Sequence, residues 1–141
     1  MIQRIQSVWL LLASTAAFLT VWEKITFYSG VPTVPEPGVK LGQVYAGTNV
    51  FLLILTVILG LVSFISIFLY KNRKQQMQFT WLALIISIIN IFLYYRETVK
   101  FSEGTYDLTA IVTLIIPILL LMAIKGIYKD QKLVKSLDRL R

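Results

Sequence analysis

Residues 49–70 read NVFLLILTVILGLVSFISIFLY, residues 71–78 read KNRKQQMQ, and residues 79–95 read FTWLALIISIINIFLYY. Two charge-free runs of 22 and 17 residues are thus joined by a short basic turn. At about 1.5 Å per helical residue they cover roughly 33 and 25 Å, against a hydrocarbon core of about 30 Å. Lipid offers no partner to backbone N–H and C=O groups, so each run must pair its own backbone as a helix. The turn is short enough to make the two helices antiparallel neighbours. This is the signature of a membrane hairpin.

Working outward, the same pattern recurs on both sides. Residues 5–22 and 108–124 form further charge-free runs of 18 and 17 residues. A cleaved signal peptide is the rival reading of the first run, with Arg4 as its basic flank and Ala13 to Ala17 as small residues. The chain stays apolar through Phe18-Leu19-Thr20-Val21-Trp22, which favours a retained span. Trp9, Trp22, Tyr70, Trp81, Tyr94, Tyr95, Tyr106 and Tyr128 cluster at the ends of the runs, where amphipathic rings sit at headgroup level. Composition agrees. The 141 residues are 57% hydrophobic and 15% charged, against about 45–50% and 25% in soluble domains.

Basic residues give the orientation. The N-terminus, the 71–78 turn and the tail 125–141 carry ten Lys/Arg, and the other two connections carry four. With an even number of spans, that bias predicts both termini in the cytoplasm. The net charge of +7 is then a topological signal and needs no nucleic acid to explain it. The expected fold class is all-α: a single integral-membrane domain over 1–141, an up-down four-helix bundle with spans near 5–22, 49–70, 79–95 and 108–124. A basic amphipathic helix follows over 125–141, with Leu133, Val134, Leu137 and Leu140 as its apolar stripe. Gly126 is the expected break between the fourth span and that tail. Residues 29–47, rich in proline and glycine, are expected to form a turn-rich outer loop with an extended piece near Val39 to Val44.

The chain has no cysteine and no histidine, which excludes disulfides, Cys/His metal sites and histidine acid–base relays. The spans carry no ionisable residue of the kind that marks pumps and proton relays, and no nucleotide-binding or nucleophile motif occurs. No cofactor, metal or catalytic residue is expected. Within the spans, Ala13, Ala16, Ala17 and Gly60 are candidates for close helix packing, and Asn90 for an interhelical hydrogen bond. Pro117 is expected to kink the fourth span. Glu23 and Arg96, at the outer ends of spans one and three, are expected to form an ion pair.

The opening Met1-Ile2-Gln3-Arg4-Ile5-Gln6 and the closing Lys135-Ser136-Leu137-Asp138-Arg139-Leu140-Arg141, joined by four spans, resemble the domain of unknown function 4293 family of small multi-pass proteins from double-membraned bacteria. The resemblance implies an inner-membrane address and a docking surface formed by the two end motifs. It brings no established activity, so no functional residue is carried over from it.

The expected function is therefore a non-catalytic accessory subunit of a larger inner-membrane complex, serving protein export or insertion, or respiration. Its partner contacts are expected at Arg4, Lys71, Arg73, Lys74, Lys135, Asp138, Arg139 and Arg141. Anionic lipid headgroups are further partners of this basic face, and nucleic acid only through an RNA-containing partner. The alternative is a small homo-oligomeric transporter or lipid-binding protein, with Asn90, Ser87 and Thr113 lining a cleft opened at Pro117. A lipid-directed enzyme using Glu23 is the third expectation.

Overall fold

The computed structural model describes residues 3–34 and 41–138, with side chains from Ile5 to Val34 and from Leu41 to Ser136. Four helices dominate it: α1 (Gln3–Leu19), α2 (Val50–Phe68), α3 (Arg73–Thr98) and α4 (Ala110–Asp138). Three of them are long and apolar enough to cross a membrane; α1 is a shorter apolar helix. Asn49 caps α2, its side chain accepting from the Phe51 N–H at 2.9 Å, which satisfies one of the unpaired N–H groups of the first turn. The α2–α3 turn is a single 3₁₀ turn, Leu69–Lys71, followed by Asn72.

The helices pack in a ring, α1 against α2 and α4, and α3 against α2 and α4. Hydrogen bonds between neighbours set their directions. Ser14 Oγ donates to the Gly60 carbonyl at 3.0 Å, Asn90 Nδ2 to Thr56 Oγ1 at 2.9 Å, and Gln131 Nε2 to the Arg73 carbonyl at 3.2 Å. Gln6 Nε2 donates to Asp130 Oδ2. Because Gln6 begins α1 while Asp130 lies late in α4, those two helices run in opposite directions. The start of α1, the α2–α3 turn and the late part of α4 share one end of the molecule.

Which faces are buried is the informative feature. On α2 the buried positions are Leu52, Thr56, Leu59, Gly60, Ser63 and Ser66. On α3 they are Gln76, Thr80, Ala83, Leu84, Ser87, Asn90, Tyr94, Glu97 and Thr98. Phe51, Ile54, Ile58, Leu61, Phe64 and Ile65 of α2 are exposed, as are Trp81, Leu82, Ile85, Ile88, Ile89 and Phe92 of α3. Small and polar groups share the inward faces with Leu52, Leu59, Leu84 and Tyr94, while the outward faces are large and apolar, unlike those of a water-soluble bundle. Where the surroundings are as apolar as leucine, close backbone approach and interhelical hydrogen bonds replace hydrophobic burial as the source of association. Ala13, Ala16 and Ala17 lie buried on α1, and Gly60 makes room for the Phe18 ring.

The chain is not all-α. At the end opposite the α2–α3 turn, β1 (Tyr28–Pro32), β2 (Gly42–Val44) and β3 (Phe101–Tyr106) form an antiparallel sheet in the order β2-β1-β3. Val44 of β2 and Phe27, just before β1, enter a second core with Leu52, Tyr94 and Ala110, so the sheet is fastened to the helix ends. The 29–47 connection contributes two of these strands. Its 35–40 portion, and with it part of the extended piece expected near Val39, lies outside the described residues.

A second correction concerns α4. The helix runs without a break from Ala110 to Asp138, through both Pro117 and Gly126. Gly126 does not end the span. Its missing side chain instead admits Gln6, whose Cγ would lie 2.7 Å from an added Cβ. Ile127 and Asp130 are buried beyond it, and their packing carries the helix on past the apolar run. The expected separate amphipathic tail is therefore the continuation of α4.

Candidate functional site

The lysine-bearing end of the bundle collects most of the residues that the sequence singled out. Lys71 and Lys74 are exposed and Arg73 is half-buried at the start of α3, where its carbonyl receives the Gln131 amide. On α4, Lys125, Lys129, Lys132 and Lys135 are exposed around the helix. A hollow of about 330 Å³ lies along this stretch, lined by Tyr128, Gln131, Lys132, Lys135 and Ser136. Leu133 and Val134 are 44% and 41% exposed. Beyond Gln131, which is hydrogen-bonded to α3, seven more residues of helix follow to Asp138, about 10 Å of helix. The side chains of Arg4 and Asp138, and residues Arg139 and Arg141, lie outside the described residues.

Two ties hold this end in place. The Gln131 bond fixes α4 to α3, and the Gln6–Asp130 bond fixes α1 to α4. Asp130, 5% exposed, was missed by the sequence reading because it sits among lysines in a segment expected to be solvated. The signal was present. Ile116, Leu120, Ala123, Ile127 and Asp130 recur at spacings of four, three, four and three, one inward stripe of α4.

The residues expected to open a cleft do not stand apart from the protein. Asn90 spends its amide on Thr56, and Ser87 Oγ donates to the Leu84 carbonyl at 2.7 Å. Thr113 is also buried, on the continuous α4. Among the described residues one interior polar atom, Ser63 Oγ, has no hydrogen-bond partner.

At the sheet end the expected Glu23–Arg96 ion pair does not form. Both residues are exposed, and α1 ends at Leu19, so Glu23 lies in the turns that follow it. The salt bridge there joins Glu97 to Lys100, Oε2 to Nζ at 2.6 Å, and Asn49 Nδ2 donates to the other oxygen, Oε1, at 3.1 Å. Glu97 continues the inward stripe of Ser87, Asn90 and Tyr94, which is why it, and not its neighbour Arg96, turns toward the bundle. Asp107 is the other anchored carboxylate. Its Oδ2 accepts Thr26 Oγ1 and Ser29 Oγ, each at 2.5 Å.

A helical ring with polar side chains among its buried positions, an outward apolar surface and three helices able to cross a bilayer defines the class of membrane-type helical proteins. Within that class the chain belongs to the family described as a domain of unknown function, DUF4293, whose model matches residues 2–140. No curated protein and no solved structure matches it.

Proposed function

We propose that this chain is a non-catalytic accessory subunit of a larger inner-membrane protein complex, docking through the lysine-bearing end of α4. All four helices cross the bilayer in this reading, with both termini in the cytoplasm. The outward apolar faces support insertion. For α1, 17 residues of helix reach about 26 Å, and Trp22 follows it at headgroup depth. The Lys/Arg bias supports the orientation. Anionic headgroups flank Lys71, Lys74 and Lys125, each contributing about 1 kcal/mol near the surface.

The observation that carries the docking assignment is the last stretch of α4. Leu133 and Val134 are 44% and 41% exposed among the exposed Lys129, Lys132 and Lys135, on the two turns of helix that follow Gln131. An apolar strip framed by cations suits a groove with an apolar floor and acidic rims on a partner's cytoplasmic domain, or an RNA-containing partner. The test is affinity purification of the tagged protein in mild detergent, beside a Leu133→Ser/Val134→Ser variant. A stoichiometric partner should accompany the wild type and fall at least about tenfold in the variant, with helix content unchanged. A wild type that purifies alone, or a partner retained equally by the variant, overturns the assignment.

A further inference from the structure

We propose that the hollow between the sheet-end halves of α3 and α4 binds one phospholipid whose headgroup carries a primary ammonium. The hollow measures about 660 Å³, and its walls include Phe27, Ile91, Tyr106, Ile111 and Leu114, with Asp107 as its carboxylate. That size and makeup, apolar walls with few polar groups, match ligand sites of about 300–1,000 Å³. Ile91 and Leu114 lie about 10 and 6 Å along α3 and α4 from their sheet ends, so the hollow runs from the sheet into the outer part of a leaflet. It opens beside Leu108, which is 85% exposed at the head of α4. An open apolar groove headed by a carboxylate fits an acyl chain below and a cation above.

Asp107 selects the headgroup. Thr26 and Ser29 both donate to Oδ2, which orients the carboxylate, while Oδ1 accepts no hydrogen bond from the described residues. A primary ammonium can donate to Oδ1 as a charge-assisted bond. A quaternary choline has no N–H to donate, and a glycerol headgroup has no positive charge. The proposal rests on the membrane placement above and is independent of the docking segment of α4, at the opposite end of the bundle.

The experiment is native mass spectrometry of the detergent-solubilised full chain, titrated separately with phosphatidylethanolamine, phosphatidylcholine and phosphatidylglycerol of identical chains. One ethanolamine lipid should be retained about tenfold more strongly than either of the others. Asp107→Asn should erase that preference, and Ile111→Trp, which fills the hollow and leaves the carboxylate intact, should weaken retention of the ethanolamine lipid. The Leu133→Ser/Val134→Ser variant should keep the preference. Equal retention of the three lipids, or a preference that survives Asp107→Asn, overturns the site and leaves the membrane reading intact. Absence of retention of any phospholipid likewise overturns the site alone. Should Asp107→Asn fail to fold, the headgroup series and Ile111→Trp decide the question.

Discussion

Gly30→Val is expected to destabilise the protein by about 3 kcal/mol, read as a fall in the unfolding midpoint in mixed micelles. Gly30 of β1 lies opposite Gly104 of β3. A Cβ at Gly30 would run into the Glu103 carbonyl and sit 2.8 Å from the Gly104 Cα, both backbone atoms that cannot swing aside. The converse holds at Gly104, where an added Cβ would lie 2.5 Å from the Ser29 carbonyl. Strand propensity alone argues the other way, since valine is favoured and glycine disfavoured in strands. The sign of the effect therefore decides between propensity and close backbone approach. Thr105→Val, at an exposed position on the partner strand β3, is the control and should change the midpoint little. A Gly30→Val protein as stable as wild type would mean that β1 and β3 do not approach as described.

Gln6→Leu should be nearly as damaging, costing about 2–4 kcal/mol by stranding the buried Asp130 carboxylate without its donor. Removing both partners is the informative comparison. Replacing a buried polar pair by apolar groups of similar shape is often close to neutral, so Gln6→Leu/Asp130→Leu should regain most of the loss. The expected order is wild type near the double variant, with the single variant well below both. A single variant that unfolds with wild-type stability would remove the Gln6–Asp130 tie from the account of how α1 is held to α4.

The helices were legible for a simple reason. Each charge-free run is about one bilayer thick, and the basic 71–78 turn leaves no room for a crossover between the second and third. What the runs hid were the helix ends. α3 continues to Thr98 and α4 to Asp138, because inward stripes persist past the apolar residues. Glu97 and Asp130 occupy positions on those stripes, where distant donors reach them, Asn49 for Glu97 and Gln6 for Asp130, with Lys100 a local partner three residues on from Glu97. A charge reads locally as the end of a span, although a donor to it is supplied from elsewhere in the chain.

The sheet was harder to see. β1 and β3 lie about 70 residues apart, each is short, and each contains a glycine that weakens any local strand pattern. Their pairing exists only after the helices have brought the two connections together. The same distance effect misdirected the ion pair. Equal depth along separate spans puts Glu23 and Arg96 at one level, yet α1 ends at Leu19 and both side chains are exposed, with no ion pair between them among the described residues. Local pattern registers the extent of an apolar run well and rotation about a helix axis only when the whole stripe is followed.

The absence of native cysteine makes the most direct test of the whole account straightforward. Single cysteines placed by Gln3→Cys, Ser102→Cys and Lys135→Cys can be probed in intact spheroplasts with a membrane-impermeant maleimide. Four crossings with a cytoplasmic docking end predict labelling of Ser102→Cys alone, with the other two reacting only after the membrane is opened. Labelling of Gln3→Cys and Lys135→Cys on opposite sides would leave α1 outside the membrane, and labelling of Lys135→Cys from outside would remove the docking segment from the cytoplasm; either result contradicts the account.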